Sequence, residues 1–249
     1  MADIRSSFQN FHERELRHQL GIGFGLIIVL AVLGLAMLPQ MWVKKVLAEN
    51  SHERADFPGT GGEFARHLLD EMKLGEVKVE QTNLGDHYDP QAKVVRLTPQ
   101  HMNGRSLAAV VVAAHEVGHA MQDATGYKPL QARTQLATKA HNIERIGSIV
   151  MLSAPVVMVL VKAPVLAIVQ IGAGLLILAS TILMHITTLP VEFDASFRRA
   201  LPVLQAGRYI NPDDMVAARR ILKAAALTYV AAAAMSLLDV MRWFRVLRP

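Results

Sequence analysis

The sequence predicts a mainly α-helical membrane protein with about four transmembrane helices and a small α+β insert. Three observations predict it. Apolar residues make up 52% of the 249 residues and mean hydropathy is +0.28, too hydrophobic for an ordinary soluble chain. Uncharged apolar runs recur at Leu20–Leu38, Ile146–Val161 and Pro164–Ile186, and a fourth, Ala224–Val240, is interrupted only by Asp239. Between the first and second runs lies the longest polar section, residues 39–145, where helix caps, β-prone runs and turn residues occur together.

The elements follow in order. Residues 1–19 are polar and mixed in charge, with Phe8, Phe11, Leu16 and then Leu20 at helical spacing, which suits an amphipathic N-terminal segment on a membrane surface. Residues 20–38 form the first span, nineteen residues without a charge. A cleaved signal peptide is disfavoured: the leader is long and partly acidic, and no small-x-small site follows the apolar run. In the insert, Thr60 and Glu63 fit a capping box, followed by Phe64, Ala65, Leu68, Leu69 and Met72 on one helical face and a stop at Gly75. Val77–Gln81 and Val94–Leu97 are β-prone, and the turn-rich Asp86-His87-Tyr88-Asp89-Pro90 between them predicts a small hairpin or sheet edge. A helix is predicted from Ser106 to Asp123; its apolar stretch Leu107–Ala114 is too short to cross a bilayer and fits a buried position.

Residues 146–161 and 164–186 then read as a transmembrane hairpin with a very short turn around Lys162, Ala163 and Pro164. A connector, residues 187–223, holds a charged helix Leu189–Leu201, started by Pro190 and ended near Pro202. Asn211-Pro212-Asp213-Asp214 is a helix N-terminus with a cap, a first-turn proline and two acids on the positive dipole end. It leads into the fourth span, residues 224–241, flanked by Lys223, Arg242, Trp243 and Arg245, and a tail at 242–249.

The charge of +5 and pI of 9.6 raise the question of nucleic acid. The basic residues, however, cluster at the ends of apolar segments with no aromatic-interleaved run, so no nucleic-acid partner is expected. They act as topology signals: Lys44, Lys45, Arg198, Arg199, Arg219 and Arg220 are among those on the insert side, which outnumber Arg5, Arg14, Arg17, Lys162, Arg242, Arg245 and Arg248 opposite. The positive-inside rule therefore puts the insert in the cytoplasm. The chain has no cysteine, which excludes disulfides and thiolate metal ligands and leaves His, Asp and Glu as anchors for a metal.

The predicted buried helix carries His115-Glu116-Val117-Gly118-His119. Histidines four apart share a helical face and can bind one Zn²⁺, and the glutamate beside the first can serve as general base to a water held there. A third ligand has to come from the same side of the membrane. With four spans, the stretch after the third returns to that side, and Glu192 lies six residues past Ile186. A carboxylate from a second helix would complete a His₂Glu set with an open position for water. His185 at the end of the third span and His141 are the rivals. Asp194, Ser196 and Asp123 are placed to hold a ligand's free N–H. His87, Tyr88, Tyr127, Arg198 and Arg199 are chemically able to stabilise an oxyanion, and sequence does not choose among them.

Three blocks, DHYDPQAKVVRL (86–97), AAHEVGHAMQDATGYKPLQAR (113–133) and LPVEFDASFRRAL (189–201), resemble the YugP-type neutral zinc metallopeptidases, a bacterial family of small integral-membrane proteins. The order and spacing of spans agree over roughly residues 40 to 245. The resemblance implies a membrane-bound zinc peptidase with His115, His119 and Glu192 on one zinc ion per chain and Glu116 as base. It also implies a zincin-like insert distantly similar to the gluzincins, including the HtpX-type membrane proteases. Those carry an aspartate four residues after the ligand glutamate; here that position is Ser196. The expected partners are the bilayer and a peptide or membrane-protein substrate, with an oligomer or regulatory membrane subunit left open. The rival readings are a non-proteolytic zinc scaffold, which would have no need of Glu116, and an ion transporter, which has only His185 and Asp239 to line a path.

Overall fold

The computed structural model describes residues 37–161 and 164–227, with isolated helical positions at 23 and 34. The predicted amphipathic segment 1–19, nearly all of the first span (20–38), most of the fourth (224–241) and the tail lie outside the described residues. What is described is mostly helical with one three-stranded sheet. A helix over residues 37–49 (α1) leads through a loop to α2 (Gly61–Glu71), then β1 (Lys78–Gln81), β2 (His87–Asp89), β3 (Val94–Leu97), α3 (Pro99–Asn103) and α4 (Leu107–Ala124). Two long helices follow, α5 (Lys128–Val161) and α6 (Pro164–Phe193), then a π-helical turn (Asp194–Ala200), α7 (Leu201–Ala206), a 3₁₀ turn (Pro212–Asp214) and α8 over residues 215–227.

Local chemistry sets the starts of the insert helices. In α2 the capping box closes both ways: the Thr60 N–H donates to Glu63 Oε2 (2.7 Å) and the Glu63 N–H to Thr60 Oγ1 (3.2 Å). Ser106 caps α4 by accepting from the Ala109 N–H at 3.2 Å. The sheet differs from a simple hairpin of the two β-prone runs. β1 and β3 are parallel neighbours, Lys78 opposite Val94 and Gln81 opposite Leu97, and β2 pairs antiparallel with β3 on its other side. The tight turn follows β2, because Asp89 Oδ1 accepts from the Gln91 and Ala92 N–H groups (2.9 and 3.0 Å) and Lys93 takes a positive φ of 55°. β2 is thereby left as an edge strand.

Helix α4 is the centre of the core, buried continuously from Leu107 to Ala120. It packs against α2, the sheet and the π-helical turn, and the same core takes Val46 from α1 and Ile221 and Leu222 from α8. The helix ends at Thr125; Gly126, at φ 63°, turns the chain so that the Tyr127 N–H reaches the Gln122 carbonyl (2.9 Å) and α5 can begin.

α5 and α6 form the expected long hairpin. The separate helix expected at Leu189–Leu201 is absent. α6 runs through Pro190 and passes into the π-helical turn, because Val191, Glu192 and Ala195 are fully buried against the core and hold the chain helical despite the missing N–H. Pro202 does not end a helix; it sits in the first turn of α7, where no N–H is required. Likewise Asn211 does not cap α8 through its side chain but donates to Asp56 (3.2 Å), and Arg54 bridges Asp56 and Asp214. Among the described residues one helical stretch, Gly172–Ala206, is long and apolar enough to cross a membrane, with mean hydropathy 1.8. The hairpin exposes Ile146, Ile149, Leu152, Ile168, Leu175, Leu176, Leu183 and Ile186, an apolar surface larger than water-facing helices usually carry.

Candidate metal centre

Helix α4 presents His115 and His119 on one face, four residues apart, with ring centroids 4.8 Å from each other. Opposite them, the last turn of α6 presents Glu192. Its Oε2 lies 3.2 Å from His115 Nε2 and 3.3 Å from His119 Nε2. One ligand atom from each residue falls within 4.8 Å of the others, and all three side chains are buried. Neither carboxylate oxygen of Glu192 has a hydrogen-bond donor, although the residue is wholly buried. Arg133 Nη1 stands 3.4 Å from Oε1 as an ion pair, but Oε2, between the two imidazoles, has no cationic side chain beside it among the described residues, and an anionic oxygen buried so is costly. The three ligand atoms fit a metal ion, and His₂Glu is the donor set of a catalytic zinc site.

Both histidines are held from behind. Ser196 donates to the Leu222 carbonyl (3.3 Å) and its oxygen accepts from His115 Nδ1 (3.0 Å). Gln122 accepts from His119 Nδ1 (2.9 Å) through Oε1 while its amide nitrogen donates to the Val191 carbonyl (2.8 Å) and to Asp194 (2.9 Å). A carbonyl and a carboxylate can only accept, so the Gln122 amide has one workable orientation, and its oxygen must meet a protonated Nδ1. Both rings therefore turn an Nε2 lone pair toward Glu192. Arg199, 2.8 Å from Asp194, keeps the far end of this chain anionic: burial opposes ionisation there, but the guanidinium and Gln122 outweigh it and hold the Asp194 carboxyl low.

Residues 25–248 match the family described as "Putative neutral zinc metallopeptidase". The chain is also 35% identical over 223 residues to the "Putative membrane protease YugP" of Bacillus subtilis (strain 168), covering 89% of this chain and 95% of that one. The chain belongs to the neutral zinc metallopeptidase family. No solved structure matches it. The cofactor of a zinc metallopeptidase is zinc, and the buried His115, His119 and Glu192 group is able to hold it.

Around the metal group of this family member runs a cleft of about 440 Å³, walled by Val43 and Leu47 of α1, Val112 and Glu116 of α4, and the loop ahead of β2. Burial pushes the Glu116 carboxyl up to about 8; His115 and Arg133 pull the other way, and Glu192 and Asp86 add to the rise. Asp86, also on the cleft, accepts from the Thr98 N–H (2.7 Å) and lies 2.7 Å from His101 Nδ1. Against its burial, these contacts hold its carboxyl below the usual range. A second cavity of about 300 Å³ continues the cleft along β2, between His87, Tyr88 and Asp89 on one wall and His119, Leu130 and Arg133 on the other.

The sequence candidates separate clearly. Ser196 reaches His115 directly, while Asp194 acts one residue removed, through Gln122. Asp123 faces away, taking the Tyr88 hydroxyl (2.6 Å) and Lys93, and the contact expected of it belongs to Gln122 one position earlier. Position i+3 from His119 points at the π-helical turn, whereas i+4 points at the sheet. Of the oxyanion candidates, His87 and Tyr88 line the cleft, with the Tyr88 hydroxyl committed to Asp123 and His87 Nδ1 2.8 Å from the Gly85 carbonyl. Arg198 is exposed, and Arg199 is bound to Asp194 over the Tyr127 ring, away from the cleft. His185 and His141 lie outside the metal group, His141 being exposed. Sequence reasoning missed Gln122, which helical periodicity from His119 could have found. It also missed Arg133, which reaches the site only through the turn at Gly126 and so left no local signal.

Proposed function

We propose that the protein is an integral-membrane zinc metalloendopeptidase that hydrolyses peptide bonds of membrane proteins or peptides, with His115, His119 and Glu192 on the metal and Glu116 as general base. The observation that carries this reading is the convergence of a wholly buried carboxylate and two imidazoles on a cleft wall that also bears Glu116. Zinc, when bound, acidifies water and polarises a carbonyl. Glu116 takes the proton of the attacking water and returns it to the leaving amide nitrogen as the C–N bond breaks.

An extended substrate lies along edge strand β2, whose residues line both cavities, and brings a backbone carbonyl to the metal group. The bilayer is reached through four spans, at 20–38, 146–161, 164–186 and 224–241. The insert 39–145 and connector 187–223 lie together on the cytoplasmic side. The apolar α5–α6 surface and the printed name of the Bacillus subtilis relative support membrane association. The test is cleavage of a membrane substrate by purified wild type and Glu116→Gln, with zinc measured in both. Expected is full zinc in each and cleavage by wild type alone; equal cleavage overturns the mechanism.

A further inference from the structure

We propose that Arg133 is the residue that receives the substrate carbonyl and stabilises the oxyanion formed at the metal; the proposal rests on the peptidase reading above. Hydrolysis of an amide develops negative charge on the carbonyl oxygen, and a donor fixed beforehand in a site poor in water stabilises that charge most. None of the three cationic or phenolic candidates outside the cleft wall meets this need: Arg198 is exposed, and Arg199 and Tyr127 are stacked on each other behind Asp194. Tyr88 is on the wall, but its hydroxyl proton is given to Asp123, and burial and then that carboxylate keep its pKa high.

Arg133 is on both walls. It lines the cavity that contains the metal group and the cavity that runs along β2, so a strand laid on β2 passes its guanidinium on the way to the metal. Its Nη1 is 3.4 Å from Glu192 Oε1, on the side of the carboxylate away from the histidines, and its charge is felt by Glu116. Its side chain is 21% exposed, enough to be reached from the cleft and too little to be solvated like a surface arginine. A guanidinium carries five N–H donors in a planar fork, so steadying Glu192 with one edge and meeting a carbonyl with another are compatible.

In the step itself, the water oxygen adds to the carbonyl carbon, the π pair moves onto the carbonyl oxygen, and an Arg133 N–H donates to that oxyanion. Glu116 holds the proton lost by the water. When the pair returns and the C–N bond breaks, the nitrogen leaves with the proton from Glu116, and Arg133 releases a neutral carboxyl group that then ionises. The charge of Arg133 does not change.

The experiment uses the full-length zinc-loaded chain in detergent, as wild type, Arg133→Gln and Arg133→Lys. Zinc stoichiometry, kcat and KM on a fluorogenic peptide, and calorimetric binding of a phosphinic peptide and a hydroxamate are measured. The phosphinate carries a tetrahedral oxyanion, whereas the hydroxamate is planar. Expected for Arg133→Gln is one zinc per chain, KM within about threefold, kcat lower by about 10²–10³-fold, and phosphinate affinity lost in proportion while hydroxamate affinity is kept. Arg133→Lys should fall between, as a point charge without the fork. Zinc loss in Arg133→Gln with full activity in Arg133→Lys would reduce Arg133 to a counter-charge for Glu192 and overturn the proposal, as would equal loss of both inhibitors or an unchanged kcat. Absence of cleavage by zinc-loaded wild type would count against the peptidase reading instead. The inhibitor comparison would still decide Arg133.

Discussion

At the scale of single residues, the centre depends on groups that never touch a metal. Gln122 fixes the His119 tautomer because its amide nitrogen is claimed by two obligate acceptors, the Val191 carbonyl and Asp194. Removing it frees the ring to rotate and leaves Asp194 with Arg199 as its remaining side-chain donor. Gln122→Ala should therefore weaken zinc binding about 10–100-fold, as loss of an outer hydrogen bond to a metal-bound histidine generally does. Competition with a chromophoric chelator measures it, and an unchanged affinity would show that the histidine is oriented by packing alone. Residues of this kind are hard to read from sequence. HEVGH declares itself through spacing; periodicity puts Gln122 within reach of His119, but the orientation of its amide is set by Asp194, 72 residues further along the chain.

At the scale of elements, the site depends on how closely α4 and the π-helical turn approach each other. Gly118 sits between His115 and His119 at that contact: a Cβ there would lie 2.8 Å from the Ala195 carbonyl oxygen, which is backbone and cannot rotate away. Gly118→Ala should cost about 1–3 kcal/mol and push Glu192 away from the histidines. A lower melting temperature and a lower zinc content should appear together; retention of both would mean the two elements can part without cost. A π-helical turn accommodates one residue more per turn than an α-helix, and such turns recur at functional sites. Here it lets Glu192, Asp194 and Ser196 all serve the same face of α4. The Thr60–Glu63 capping box and the β-prone runs were legible in the sequence because each is a local feature, whereas the Asn211 cap was not made because its side chain is drawn to Asp56. The parallel pairing of β1 with β3 and the passage of α6 through Pro190 were not legible, because the first is decided by tertiary packing with α2 and α3 against β1 and the second by the burial of Val191, Glu192 and Ala195.

At the scale of the whole molecule, the metal group joins the insert to the hairpin, since its histidines come from α4 and its carboxylate from the end of α6. The natural chain has no cysteine, so single cysteines report topology without background. With four spans, Ala163→Cys between α5 and α6 should react with an impermeant maleimide on intact cells, and Asn103→Cys in the insert only after permeabilisation. Reversed labelling would put the catalytic side outside; equal labelling would mean the hairpin does not cross. The sequence by itself determined the hydrophobic class of the chain, the HEVGH helix and its zinc chemistry, because composition, helical period and ligand spacing are properties of consecutive residues. Only the tertiary structure decided that Glu192 meets both imidazoles, that Gln122 and Ser196 hold them, and that Arg133 stands over the cleft. Apart from the pair His119–Gln122, these contacts join residues far apart in the chain, and they exist because burying α4 against the π-helical turn that follows α6 leaves those side chains one shared place to satisfy their charge and hydrogen bonds.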